Sequence, residues 1–230
     1  VNISHHFDDA TLMAYSAGTL PEGMALLVAC HLHWCPHCRD RVAATNAIGG
    51  ALLDDLAPAG LSAGALDDML ALLDEPEPEP VPVDMSSRKS SRKFAASGGV
   101  RGPSQEMPAP LAELLGDSID ELPWKRIGYG VRQLDLTLEG SGATRLLRIS
   151  PGVSVPHHTH EGNELTLILR GSYTDETGRF CRGDVADLDG EVKHQPIVDT
   201  DEDCICLIAT DAPLKFSGLM GRLIQPFIGL

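Results

Sequence analysis

His31-Leu-His-Trp-Cys35-Pro-His-Cys38 gathers two thiols and three imidazoles into one short stretch, and no other stretch limits the fold as tightly. A histidine four residues before Cys35 shares its face if both sit on one helix. The Cys-x-x-Cys turn then returns the second thiolate to the same point. Soft and borderline donors at this spacing point to Zn²⁺, whose structural sites are tetrahedral and need a fourth ligand. That ligand is expected just ahead of the first helix, at His6, with His5 as the neighbouring alternative. His33 and His37 are substitutes within the motif. A redox pair is the competing reading, but no βαβ pattern surrounds these cysteines.

Residues 1–75 read as four helices. Asp8 or Asp9 caps the first, which runs to about Ala17. Pro21 and Glu22 suit the start of a second, with Met24, Leu27, Val28 and Leu32 at helical spacing. A third begins near Pro36 and carries Val42, Ile48, Leu52 and Leu53. A fourth, Ser62 to about Asp74, places Leu66, Met69, Leu70 and Leu73 at i, i+3, i+4 and i+7. Short helices with few aromatic residues make a poor core alone, and a unit this small needs a metal staple or a partner. The metal motif lies where the second and third helices meet.

Charge divides the chain unevenly. Residues 1–80 carry a net charge of −10, residues 81–110 of +3 and residues 111–230 of −8. That balance argues against a nucleic-acid binder, and the acidic N-terminal third suits either a basic protein partner or a solvated surface that keeps the protein soluble. From Glu75 the composition shifts to Glu-Pro repeats, then a Ser/Arg/Lys repeat at 86–93, then Gly, Ser and Pro. Residues 76–110 therefore read as a linker, stiff at its Pro-rich start. The basic repeat is read as solvated linker rather than a nucleic-acid contact.

From Trp124 the pattern is that of strands. Gln133-Leu-Asp-Leu-Thr-Leu-Glu139 alternates polar and apolar residues, and Arg145–Ile149 and Leu165–Leu169 are short β-rich runs. Gly140, Gly171, Gly178, Gly183 and Gly190 punctuate them. An antiparallel sandwich or barrel is expected over 111–230. Within it, His158 and His160 alternate on one strand and point to one side. Glu164 and His194 complete three imidazoles and a carboxylate, a set that suits Zn, Fe, Mn or Ni.

These residues resemble the cupin family. Its first motif, G-x5-H-x-H-x3-E-x6-G, is matched by Gly152, His158, His160, Glu164 and Gly171. Of the second, G-x5-P-x-G-x2-H-x3-N, Gly183 and His194 are kept, while Asp189, Glu191 and Val198 replace the other three. The resemblance implies a β-barrel with a metal at His158, His160, Glu164 and His194. Catalysis is not implied, because the departures fall where the pocket is shaped. The N-terminal motif resembles the zinc-binding anti-sigma domain, H-x3-C-x2-C with an upstream histidine. His31, Cys35 and Cys38 match it, and His6 falls at the upstream position.

An anti-sigma domain at 1–75, a linker at 76–110 and a cupin at 111–230 together resemble the ChrR-type anti-sigma factors. The resemblance implies α and β parts in separate domains, and inhibition of an extracytoplasmic-function sigma factor by the zinc-stapled helices. It also implies release under singlet oxygen or related oxidants, the cupin being required. The alternative is a metal-dependent cupin enzyme, a dioxygenase or isomerase, with a regulatory helical domain. A third possibility is a cupin that only binds a small ligand or oxidant and passes the signal through the linker. Cys204 and Cys206 share one strand face, as core residues or as oxidation-sensitive thiols; Cys30 and Cys181 read as structural. Val1–Asp9 has no basic segment followed by an apolar core, and no apolar run reaches about 18 residues. A cytoplasmic location is therefore expected.

Overall fold

The computed structural model describes residues 2–73, 107–138, 142–155, 162–188 and 194–211, and the backbone of 158–160 and 214–216. Most of the linker and the Ser/Arg/Lys repeat lie outside the described residues. The chain divides into two compact units, Val1–Ala47 with Val100–Leu230, and Ile48–Gly99.

In the first unit, α1 (Asp9–Ser16) is capped by the Asp8 carboxylate, which accepts from the Thr11 amide at 2.7 Å. Gly18, at φ +67°, lets the chain turn out of the helix. α2 (Glu22–Trp34) buries Met24, Leu27, Val28 and His31 along one stripe, and Gly23 and Cys30 beside it. So wide a buried surface fits a helix enclosed on more than one side. α3 (Pro36–Asp54) opens at the proline of the Cys-x-x-Cys turn, where its missing N–H is no loss. A helix absent from the sequence reading, α5 (Ala109–Leu115), packs Leu111 against α2. Before it comes α4 (Ala65–Leu73), in the second unit.

Eleven strands follow among the described residues. A six-stranded antiparallel sheet has the order β1 (Lys125–Gly128), β2 (Val131–Leu136), β3 (Ala143–Ile149), β10 (Cys204–Thr210), β5 (Glu164–Arg170), β8 (Val185–Leu188). A three-stranded sheet joins β7 (Gly178–Cys181), β6 (Ser172–Asp175) and β9 (Ile197–Val198). β4 (His158–His160) pairs with β11 (Leu214–Phe216). Among the described residues these are three sheets and not the closed barrel expected.

The strands β3, β10, β5 and β8 of the large sheet are buried on both faces, and their alternation shows how. Leu146, Leu165, Leu167, Leu169, Ile205, Leu207 and Ala209 share a core with Phe7, Leu12, Met24, Leu27, Val28 and Leu111. The intervening Leu147, Ile149, Ile168, Cys204 and Cys206 pack with Tyr173, Phe180 and Val198 of the small sheet. α2 thus covers the outer face of the sheet, and the α and β parts share one core rather than standing as separate domains. The reason is hydrophobic: neither an outer face of Leu and Ile nor three short helices could be left in water.

Two glycines mark close approaches. Gly171, at φ +70°, ends β5 where a Cβ would sit 2.9 Å from the Asp203 carbonyl oxygen. Gly23 brings α2 down onto β3, with the Thr144 side chain filling the space a Cβ would take. Gly23→Ala is expected to overpack this joint and to destabilise the protein by roughly 1–3 kcal/mol, readable in thermal unfolding. An unchanged midpoint would mean that α2 is not seated on β3.

In the second unit, apolar side chains face outward. Ile48, Leu52, Leu53 and Leu56, and Leu66, Met69, Leu70 and Leu73, are all at least half exposed. α4 buries none of its residues. No helix among the described residues is long and apolar enough to cross a membrane.

Candidate metal centre

Four donors converge at the junction of α2, α3 and the N-terminal segment. The ligand atoms of His6, His31, Cys35 and Cys38 all lie within 4.8 Å of one another. His31 sits in the last turn of α2, and Cys35 follows it at the helix end, its amide bonded to the His31 carbonyl at 2.9 Å. Cys38 is one turn into α3, with its amide 3.4 Å from the Cys35 sulfur. His6 comes from the extended chain before α1.

The separations match the edges of a coordination tetrahedron. His31 Nε2 is 3.3 Å from Cys38 Sγ, and His6 Nδ1 is 3.3 Å from Cys35 Sγ and 3.6 Å from Cys38 Sγ. Zn–S bonds of about 2.3 Å and Zn–N bonds of about 2.0–2.1 Å give tetrahedral edges of about 3.3–3.8 Å. The donor set and its spacing fit a metal ion.

Protonation explains why the site wants one. Burial, and then the Cys35 thiol beside it, push Cys38 up to about 12. Burial pulls His31 down to about 4, which leaves a neutral, ligand-competent imidazole at pH 7. Burial also lowers His6, with His37 adding to the effect. A divalent cation inverts the penalty on the thiols by making thiolate the favoured form. His31 Nδ1 donates to the Gly183 carbonyl at 2.9 Å, which fixes the tautomer and turns Nε2 inward.

The other candidate histidines are elsewhere. The His5 ring stacks 4.4 Å from Phe180 and its Nδ1 lies 3.4 Å from the Asp184 carboxylate. His37 packs at 4.5 Å against the outer side of His6, and both His33 and His37 are exposed.

In the cupin-like sheet, Glu164 and His194 come together, Nε2 lying 3.9 Å from Oε1, with both side chains buried. Asp175, on β6, holds His194 Nδ1 at 2.8 Å, and no motif in the sequence points to it. A carboxylate behind a candidate ligand histidine orients its ring and leaves the other nitrogen for an ion. Burial pushes Glu164 up to about 7, against the opposing pull of His194, Thr166 and Arg145. The side chains of His158 and His160 lie outside the described residues, though their strand is in place. Cys204 and Cys206 are core residues, and burial pushes Cys204 up to about 12 and Cys206 well above its usual value. Thiols held protonated this way are poor nucleophiles. Cys30 is buried and likewise raised to about 12 by burial.

The family model of the ChrR cupin-like domain matches residues 115–213. Over 227 residues, 99% of this chain and 99% of the relative, the sequence is 42% identical to anti-sigma-E factor ChrR of Cereibacter sphaeroides. The fold is similar to that in the crystal structure of Rhodobacter sphaeroides SigE in complex with the anti-sigma ChrR. That match has a TM-score of 0.74 and 41% identity, over 91% of this chain and 100% of the other. The relative is an anti-sigma factor, and that likeness favours the regulatory reading over the enzymatic one. Similarity of this degree, sustained from one end of the sequence to the other, places the chain in the ChrR family of anti-sigma factors.

Proposed function

We propose that the protein binds an extracytoplasmic-function sigma factor in the cytoplasm, keeps it from RNA polymerase, and releases it under singlet oxygen or a related oxidant. The observation that carries the proposal is the exposed apolar surface of the Ile48–Leu73 stretch. Apolar surface of that extent on a soluble domain marks a protein interface. Its acidic setting, net −10 over residues 1–80, suits the basic promoter-reading surfaces of a sigma factor. A relative solved in complex with a sigma factor supports the same partner. Occlusion of those surfaces needs no contact with DNA.

On this reading the helices within residues 1–75 do the inhibiting, residues 76–110 link them in sequence to a metal-binding cupin at 111–230, and α1 and α2 stay seated on the cupin-like sheet. Zinc at His6, His31, Cys35 and Cys38 is structural and sets the angle between α2 and α3. A second ion, zinc or another divalent transition metal, is held by His158, His160, Glu164 and His194. That ion would supply a centre that an oxidant or small ligand can alter. The protein's own part is to orient His194 through Asp175 and to keep Glu164 out of water.

Co-purification with a small basic sigma factor from the same cell tests the inhibitory half. The sensing half is tested with Glu164→Gln and His194→Ala. Both variants are expected to bind sigma as the wild type does, yet to release at least tenfold less of it when the complex is exposed to singlet oxygen. Normal release by either variant would move sensing away from the cupin site.

A further inference from the structure

The N-terminal centre draws its outer contacts from a turn 150 residues away in sequence. His31 Nδ1 donates to the carbonyl of Gly183, in the turn between β7 and β8. The next residue, Asp184, is 1% exposed and grips the segment that carries His6. Its Oδ1 accepts from the Ser4 amide at 2.7 Å and the His5 amide at 3.0 Å. Its Oδ2 accepts from the Cys181 amide at 2.9 Å, which closes the turn on itself. The Val185 amide donates back to the His5 carbonyl at 3.4 Å.

His6 is thereby fixed from both sides, by His5 on the turn and by Phe7, which is buried edge-on to His31 at 5.1 Å. Residues 2–7 have no secondary structure of their own. A segment without secondary structure is loose unless something ties it down. The turn is in turn tied to the sheet. The Gly183 amide donates to the Ile168 carbonyl at 2.8 Å, and the Ile168 amide to the Asp184 carbonyl at 3.1 Å. Ile168 lies on β5, the strand that begins at Glu164.

We infer that Asp184 and the Gly183 carbonyl are the positioning shell of the N-terminal metal centre, so that the β7–β8 turn of the cupin-like part sets how firmly that centre holds its ion. The inference rests on the metal reading of the His6, His31, Cys35, Cys38 cluster. It makes a displacement of the turn equivalent to a weakening of the centre, and the coupling must run both ways.

Cobalt(II) loading of the full chain tests it, because the thiolate-to-cobalt absorption band reports the Cys35/Cys38 site and not a His/Glu site. In chelator competition, Asp184→Ala is expected to lose cobalt from that band with a 10–100-fold lower affinity, the usual effect of removing an outer-shell partner. Asp184→Asn keeps one acceptor oxygen and should fall between the two. Asp199→Ala serves as control: Asp199 ties Thr174 at 2.8 Å and Arg179 at 2.6 Å on the same small sheet, away from the turn. Wild-type affinity in Asp184→Ala, or an equal loss in Asp199→Ala, would overturn the inference. If Asp184→Ala does not fold, hydrogen exchange answers from the other side. Cys35→Ser/Cys38→Ser should then lose protection at the Cys181 and Val185 amides, and unchanged protection there would overturn the coupling. Absence of the band in the wild type would instead overturn the metal reading itself, and the inference with it.

Discussion

Replacing Cys35 and Cys38 together by serine is expected to strip zinc from the N-terminal centre and to abolish inhibition of the sigma factor. Structural zinc contributes on the order of 10–16 kcal/mol in small peptide sites, comparable with the whole stability of a domain. Here the loss should be confined. α2 is held on the large sheet by Met24, Leu27 and Val28, none of which is among the four donors. What comes apart is the corner between α2 and α3, where His31, Cys35 and Cys38 meet. Elemental analysis should show one zinc fewer per chain, and pull-down should recover no sigma factor. Amides in the β3–β10 pairing should keep their protection. Full inhibition by a protein that has lost this zinc would refute the structural role assigned to it.

The second large effect is expected on the exposed apolar face of the second unit. Leu52 is 65% exposed and Leu70 is 50% exposed, so neither contributes much to folding. Leu52→Asp with Leu70→Asp should therefore leave thermal stability within about 0.5 kcal/mol. Sigma binding should nevertheless weaken by a hundredfold or more, since two interface anchors at about 2 kcal/mol each are removed. Aspartate keeps the acidic character of the region, so the loss would report apolar contact and not altered steering. Binding measured by calorimetry or surface capture decides the matter. Retained affinity would place the sigma-binding surface elsewhere on the chain.

The N-terminal centre was legible in the sequence because ligand spacing within two helices is a local property. His31, Cys35 and Cys38 fall at offsets that the α2–α3 corner brings together, and His6 sits just ahead of α1, the helix that precedes them. The cupin-like strands were legible from period-2 alternation and from the glycines at 171, 178 and 183. The seating of α2 on the sheet was not read, although a trace of it was present. Leu165-Thr-Leu-Ile-Leu169 and Cys204-Ile-Cys-Leu-Ile-Ala209 are apolar at nearly every position, as strands covered on both faces must be. What covers the second face is a tertiary fact that no local pattern encodes. The same holds for Asp175 and Asp184, single carboxylates whose roles arise only when distant segments meet.

The cover that α2 places over the large sheet has a consequence for biosynthesis. α2 ends at Trp34, and β10, which it covers, begins only at Cys204. At translation speeds of about 5–20 residues per second, the helix leaves the ribosome roughly 10–30 s before its resting place exists. Through that interval the N-terminal helices meet the cell without their sheet. A sigma factor present then encounters the nascent inhibitor with Met24, Leu27 and Val28 still uncovered.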